Sequence, residues 1–224
     1  KMMLQFAYFP TYLYLCAENV KYSTMKRSYL LLICVLFSYV LNNLLAQGHH
    51  EFALKDSSRN YVRLLFAGDA MQHSTQYLWA WKKDTRSYDY EPNFRYLRPY
   101  LADADINIVN FETTLSGKPY GGYPKFRTPD AFLDELVDAG FQVFSVANNH
   151  ILDGDKRGMR RTLKKLSPYP TMGAYRDTTE RTDQYPLIFH IDDIKIALFT
   201  ATYGTNQLTP TWPCCVNYIE TEQL

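Results

Sequence analysis

Polar residues with metal-binding chemistry stand at the ends of three apolar runs in this sequence. The run 61–69, YVRLLFAGD, closes on Gly68-Asp69, with His73 four residues on. The run 105–112, DINIVNFE, ends in Asn110 and Glu112. The run 141–150, FQVFSVANNH, ends in Asn148, Asn149 and His150. Carboxylate, amide oxygen and imidazole together suit a hard or borderline divalent ion such as manganese, iron or zinc. Ions held this way lower the pKa of a bound water and clamp phosphoryl oxygens for in-line displacement. A neighbouring histidine can donate a proton to the leaving oxygen. Each group taken singly has an ordinary explanation. Asp69 suits a turn after Gly68, His73 an exposed surface, Glu112 a solvated loop, and Asn149 with His150 a turn and a helix cap. Three run ends carrying donors of this kind, while the remaining run positions are apolar, point to a shared site.

The elements that must position these groups are legible as alternating strands and helices. The three runs read as strands, with further strands at 185–191 and 194–202 joined by a tight turn at Asp192-Asp193. Between them, TPDAFLDELVDAG predicts a helix with Thr128 at the N-cap, Pro129 at the first helical position and Gly140 at the end. Phe132, Leu133, Leu136 and Val137 form its apolar face. A second helix is predicted over 155–166, with Met159, Leu163 and Leu166 on one stripe and Lys164 and Lys165 favourable to its C-terminal dipole. Residues 92–102 have helical spacing interrupted by Pro99, which predicts a kink or two short pieces. The loop 116–126, SGKPYGGYPKF, lies between a strand and a capped helix, well placed to touch a ligand. Strand and helix in alternation predict an α/β fold with parallel pairing. In such sheets ligands bind beyond the carboxyl ends of the strands, where the polar groups stand. Asn110 and Glu112, two apart in extended chain, point the same way.

The 224 residues carry 24 basic and 23 acidic side chains, a net charge of +1. That balance argues against nucleic acid or an anionic membrane surface as the main partner. Met25 opens MKRSYLLLICVLFSYVLNNLLAQG, a positive segment followed by an apolar core at 29–41. This is the pattern of a secretion signal over 25–46, or of an N-terminal anchor if it is retained. Residues 1–24 are expected to be upstream translation outside the native protein, with a first helix as the alternative. Residues 47–60 are expected to be a linker, and 61–224 a domain. Export to the periplasm or cell surface follows as an expectation, with membrane contact only through the N-terminal segment. Cys214 and Cys215 are neighbours, a geometry that disfavours a mutual disulfide, so no disulfide framework is expected.

The stretches FAGDAMQH, ADINIVNFETTLSGKPYGGYP, FRTPDAFLDELVDAGFQVFSVANNHILDGDKRGMRRTL and ATYGTNQLTP resemble the CapA-like proteins of poly-γ-glutamate capsule biosynthesis. These are similar in fold to the calcineurin-like metallophosphatases. The resemblance runs from about Tyr61 onward and rests on Gly-Asp, Asn-x-Glu and Asn-Asn-His in that order. It implies a four-layer α-β-β-α sandwich and a metal-dependent phosphoesterase-like site. Asp69 and Glu112 would be metal ligands, Asn149 a metal-contacting amide, and His150 the acid or phosphate-facing residue. His73 and Asn110 would lie in or near the metal shell. The resemblance also implies later strands and histidines that complete the site. The last histidine here is His190, so the second half of the sandwich is expected to be missing and the chain alone weak or inactive. A surface polymer such as poly-γ-glutamate, or capsule-assembly proteins, would be the partners. A non-catalytic polymer- or partner-binding role is the competing expectation.

Overall fold

The computed structural model describes residues 5–9, 12–16, 49–55 and 58–219, which fall in two units, Lys1–Leu45 and Ala46–Leu224. In the first unit, β1 (Gln5–Phe9) pairs antiparallel with β2 (Tyr12–Cys16). The alternative of a helix there gives way to this pair of strands. The signal pattern at 25–46 lies outside the described residues. Among the described residues, no helix is long and apolar enough to cross a membrane.

The second unit is α/β. In chain order it contains β3 (His49–Phe52), β4 (Leu64–Ala70), α1 (Ser74–Ala80), β5 (Trp81–Lys82), β6 (Ser87–Tyr88), α2 (Glu91–Phe94), α3 (Arg98–Asp103) and β7 (Ile106–Phe111). There follow α4 (Asp130–Ala139), β8 (Val143–Ser145), α5 (Asp155–Leu166), β9 (Thr171–Met172), β10 (Ala174–Tyr175) and α6 (Thr178–Gln184). The last elements are β11 (Leu187–Ile191), β12 (Ile194–Leu198) and β13 (Cys215–Val216). The central sheet has the order β4-β7-β8-β9, and every pairing in it is parallel. A second sheet, β12-β11-β3, joins an antiparallel pair to a parallel one. The turn between β11 and β12 falls at Asp192-Asp193, with Asp192 at a φ of 48°.

Strand alternation sorts the core into two clusters. On one face, Val109, Phe111 and Phe144 pack under Phe132, Leu133 and Leu136 of α4 and Met159, Leu163 and Leu166 of α5. On the other face, Ile106, Ile108, Val143 and Met172 meet Leu187, Phe189 and Ile191 of the second sheet. The order of layers is therefore helices, four-stranded sheet, three-stranded sheet. Burying aliphatic and aromatic side chains on both faces gives the central sheet its near-continuous apolar strands.

The helix over 155–166 forms with its predicted stripe buried. The region around Pro99 resolves into two short helices, because proline is accepted only in the first turn of the second. One capping expectation is corrected. The N-cap of α4 is Pro129, with no side-chain cap. The Thr128 hydroxyl instead bonds the Thr113 hydroxyl at 2.6 Å, and its N–H donates to Thr114 O, tying the preceding loop to α4. Gly140 ends the helix at a φ of 121°, as expected for a residue without Cβ.

Candidate functional site

The carboxyl ends of β4, β7 and β8 lie side by side, and a bulge sets what they present. In β4, Ala67 pairs with Val109, but Asp69, not Gly68, pairs with Asn110. The extra residue at Gly68 shifts the strand by one position. In a strand with period two, such a shift moves a side chain to the opposite face. Without the bulge Asp69 would stand opposite Phe111, on the helix-covered side. With it, Asp69 stands beside Asn110.

Asn110 then joins the two acids. Its Nδ2 donates to Asp69 Oδ1 and to Glu112 Oε2, both at 2.8 Å. Its Oδ1 accepts from Asn148 Nδ2 at 3.0 Å, which fixes the orientation of the Asn110 amide. Asn148 is buried, donates also to Phe111 O, and accepts the His150 N–H at 3.1 Å. It therefore ties the end of β7 to the turn after β8. Burial pushes the Glu112 carboxyl up to about 7, and the Asp69 charge beside it adds to the effect.

His150 closes the third side. Its Nε2 lies 3.9 Å from Glu112 Oε1, and its Nδ1 lies 2.7 Å from Asp153 Oδ2. Asp153 is buried and also accepts the Phe126 N–H at 2.6 Å. Burial raises its carboxyl above the ordinary value, opposed by the bonds from Phe126 and His150. With Nδ1–H donated to Asp153, Nε2 is the nitrogen left to exchange a proton at the centre. The Phe126 ring meets the imidazole edge-on at 4.6 Å.

His73 occupies the rim. It is exposed and caps α1, with its N–H donating to Gln76 Oε1 at 2.6 Å. Its ring stacks on Tyr123 and meets Phe126 edge-on at 5.5 Å, so Phe126 touches both imidazoles. The loop 116–126 reaches this rim by close backbone approach. A Cβ at Gly122 would lie 2.6 Å from Ser74 N. Asn149 points its amide nitrogen at Asn206 Oδ1, 3.2 Å away.

The structure thus brings Asp69, Asn110, Glu112 and His150 into one group and places His73 and Asn149 at its edges. Among the described residues, no three His, Cys, Asp or Glu side chains are arranged to hold a metal ion. Two residues were missed by sequence reasoning. Asp153 follows His150 by three positions, and that spacing is the local signal that could have found the pair. Asn206 lies 57 residues from Asn149, and no local pattern announces it.

Fold and site together define an α/β protein with a carboxylate–imidazole centre at the carboxyl ends of parallel strands. The chain belongs to the family described as bacterial capsule synthesis protein PGA_cap, which it matches over residues 63–220. The family indicates a function in capsule synthesis. No curated protein matches the chain.

Proposed function

We propose that this chain is an exported protein of surface-polymer assembly whose strand-end centre is a divalent-cation-dependent, phosphoesterase-like site. The observation that carries this reading is the pair of acids, Asp69 and Glu112, held on one Asn110 amide at 2.8 Å each, with His150 against Glu112. Two such carboxylates repel when both are ionised, and the Asp69 charge adds to the burial that raises the Glu112 carboxyl. A cation between them relieves that repulsion. The oxygen-rich donor set fits manganese, iron or zinc, with Asp69 and Glu112 as ligands and the Asn149 amide oxygen as a further contact. His73 would add a rim nitrogen. Such an ion, when bound, would polarise a phosphoryl oxygen and acidify a water.

The chain's own residues do the rest. Asp153 holds the His150 ring so that Nε2 faces the centre and can give a proton to a leaving oxygen. Asn148 locks the backbone of the turn that carries it. The finer fold reading, a four-layer α-β-β-α sandwich of the metallophosphatase kind, is supported by the succession of a helical layer and two packed sheets. A polymer such as poly-γ-glutamate, or its assembly proteins, is the proposed partner. Export rests on the signal pattern at 25–46.

A second reading, a non-catalytic polymer- or partner-binding role, is favoured by one observation. The Asn110 amide already satisfies an oxygen of each acid without any ion. Metal content and turnover separate the two. Manganese bound by the purified protein, and hydrolysis of a phosphomonoester lost in Asp69→Ala and Glu112→Ala, support the enzyme. Neither metal nor turnover leaves the binding role.

A further inference from the structure

The segment after β12 returns to the site through one turn. Thr205 O accepts the Leu208 N–H at 2.9 Å, which closes a four-residue turn. Its two central residues, Asn206 and Gln207, have φ of 50° and 63°. Positive φ at both centres is the pattern of a type I′ turn, where asparagine is well tolerated and glutamine is not. A non-glycine pair in the left-handed region persists only where the surroundings hold it. Here they do. The Thr205 hydroxyl bonds Leu208 O and the Tyr218 hydroxyl, and the Thr202 backbone is bridged to Asn217 and Ile219.

The clamped turn brings one side chain against Asn149 and His150. Asn206 Oδ1 accepts from Asn149 Nδ2 at 3.2 Å, and Asn206 Nδ2 lies 3.4 Å from His150 Nδ1. The first contact has a directional consequence. A terminal amide can turn about its last bond and present either nitrogen or oxygen. With one Nδ2 hydrogen donated to Asn206, the Asn149 amide is held in one orientation, and its oxygen is the acceptor it can offer a cation. We infer that Asn206 is a positioning residue, whose side-chain oxygen sets the Asn149 amide so that the centre receives an oxygen donor from it.

This inference rests on the cation reading of the centre, and the experiment separates the two. Manganese alone is titrated calorimetrically into the wild-type chain and the variants Glu112→Ala, Asn206→Gly and Asn206→Asp, with thermal melting of each. Glycine accepts the left-handed backbone, so Asn206→Gly removes the amide without straining the turn. Asparagine-to-aspartate keeps an oxygen for Asn149 Nδ2. The expected result is affinity lost in Glu112→Ala, weakened about tenfold in Asn206→Gly with an unchanged melting temperature, and retained in Asn206→Asp. Asn206→Gly binding as tightly as wild type, while Glu112→Ala does not bind, overturns the role of Asn206 and leaves the centre standing. Equal loss in the glycine and aspartate variants also overturns it, since an oxygen at that position would then make no difference. A wild-type chain that binds no manganese overturns both.

Discussion

His150 Nδ1 and Asp153 Oδ2 lie 2.7 Å apart in the interior, and the same carboxylate oxygen receives the Phe126 N–H. One atom of Asp153 thus holds the imidazole and the end of the loop that covers it. The separation of these two tasks is testable. Asp153→Asn can keep a carbonyl oxygen at that position and both bonds, but removes the negative charge that supports a protonated ring. It is expected to melt close to wild type and to lose roughly 10- to 100-fold in phosphoester turnover. Asp153→Ala leaves the Phe126 N–H and the ring unsatisfied and is expected to cost about 2 kcal/mol in denaturant unfolding as well.

Glu112 makes the metal-free protein sensitive to pH in a definite direction. Its carboxyl is raised from the ordinary 4.5 to about 7, by burial first and the Asp69 charge second. A group raised in the folded state contributes stability that is full below 4.5 and is lost as pH climbs through 7. Without metal, the protein is expected to become less stable across that window. Glu112→Gln removes the charge, so at pH 8 this variant should be more stable than wild type by about 1–2 kcal/mol, a value reduced for partial solvent screening. Urea melts at pH 5 and pH 8 check the sign. A variant less stable than wild type at pH 8 would contradict it.

Manganese should reverse that trend. At a concentration 100 times its dissociation constant, a ligand bound only by the folded state stabilises it by about 2.7 kcal/mol. The gain is expected to grow as pH rises toward 8, because the ion competes with the proton on Glu112. Thermal melting with and without manganese, at several pH values, measures it. Asp69→Ala should show no manganese shift at any pH.

Gly173 joins β9 to β10 at a φ of 107°, and a Cβ there would lie 2.6 Å from both Ala147 N and Ala147 Cβ. Gly173→Ala combines left-handed strain with a backbone clash just before Asn148. It is expected to destabilise by about 2–3 kcal/mol. A melt within experimental error of wild type would show that the Ala147 backbone yields freely.

Much of this was open to reading from local pattern. The apolar stripe of Met159, Leu163 and Leu166 and the flanking charges delimited α5 because burial and the helix dipole act over single turns. Asn110 and Glu112 were placed on one side by the two-residue period of extended chain, and the structure has them bonded. Local pattern failed where a partner came from another segment. Thr128 looked like a cap, yet its hydroxyl turned to Thr113 across the loop. The helix α1, started by His73 and Ser74, was not foreseen, because its exposed Leu78 and Trp79 break any amphipathic signal.

By itself, then, the sequence determined an α/β alternation with parallel pairing, the apolar stripes that α4 and α5 bury, and that ligand-type residues stand at the ends of three apolar runs, since these follow from period and side-chain type along a short stretch. The parallel pairing of β3 with β11 did not follow from it. Only the tertiary structure decided that the bulge at Gly68 turns Asp69 toward Asn110, that Asp153 holds His150, and that Asn206 reaches Asn149 from 57 residues away. Register and long-range contact depend on how whole elements pack, and the free energy that selects among registers is spread over many residues that no local window contains.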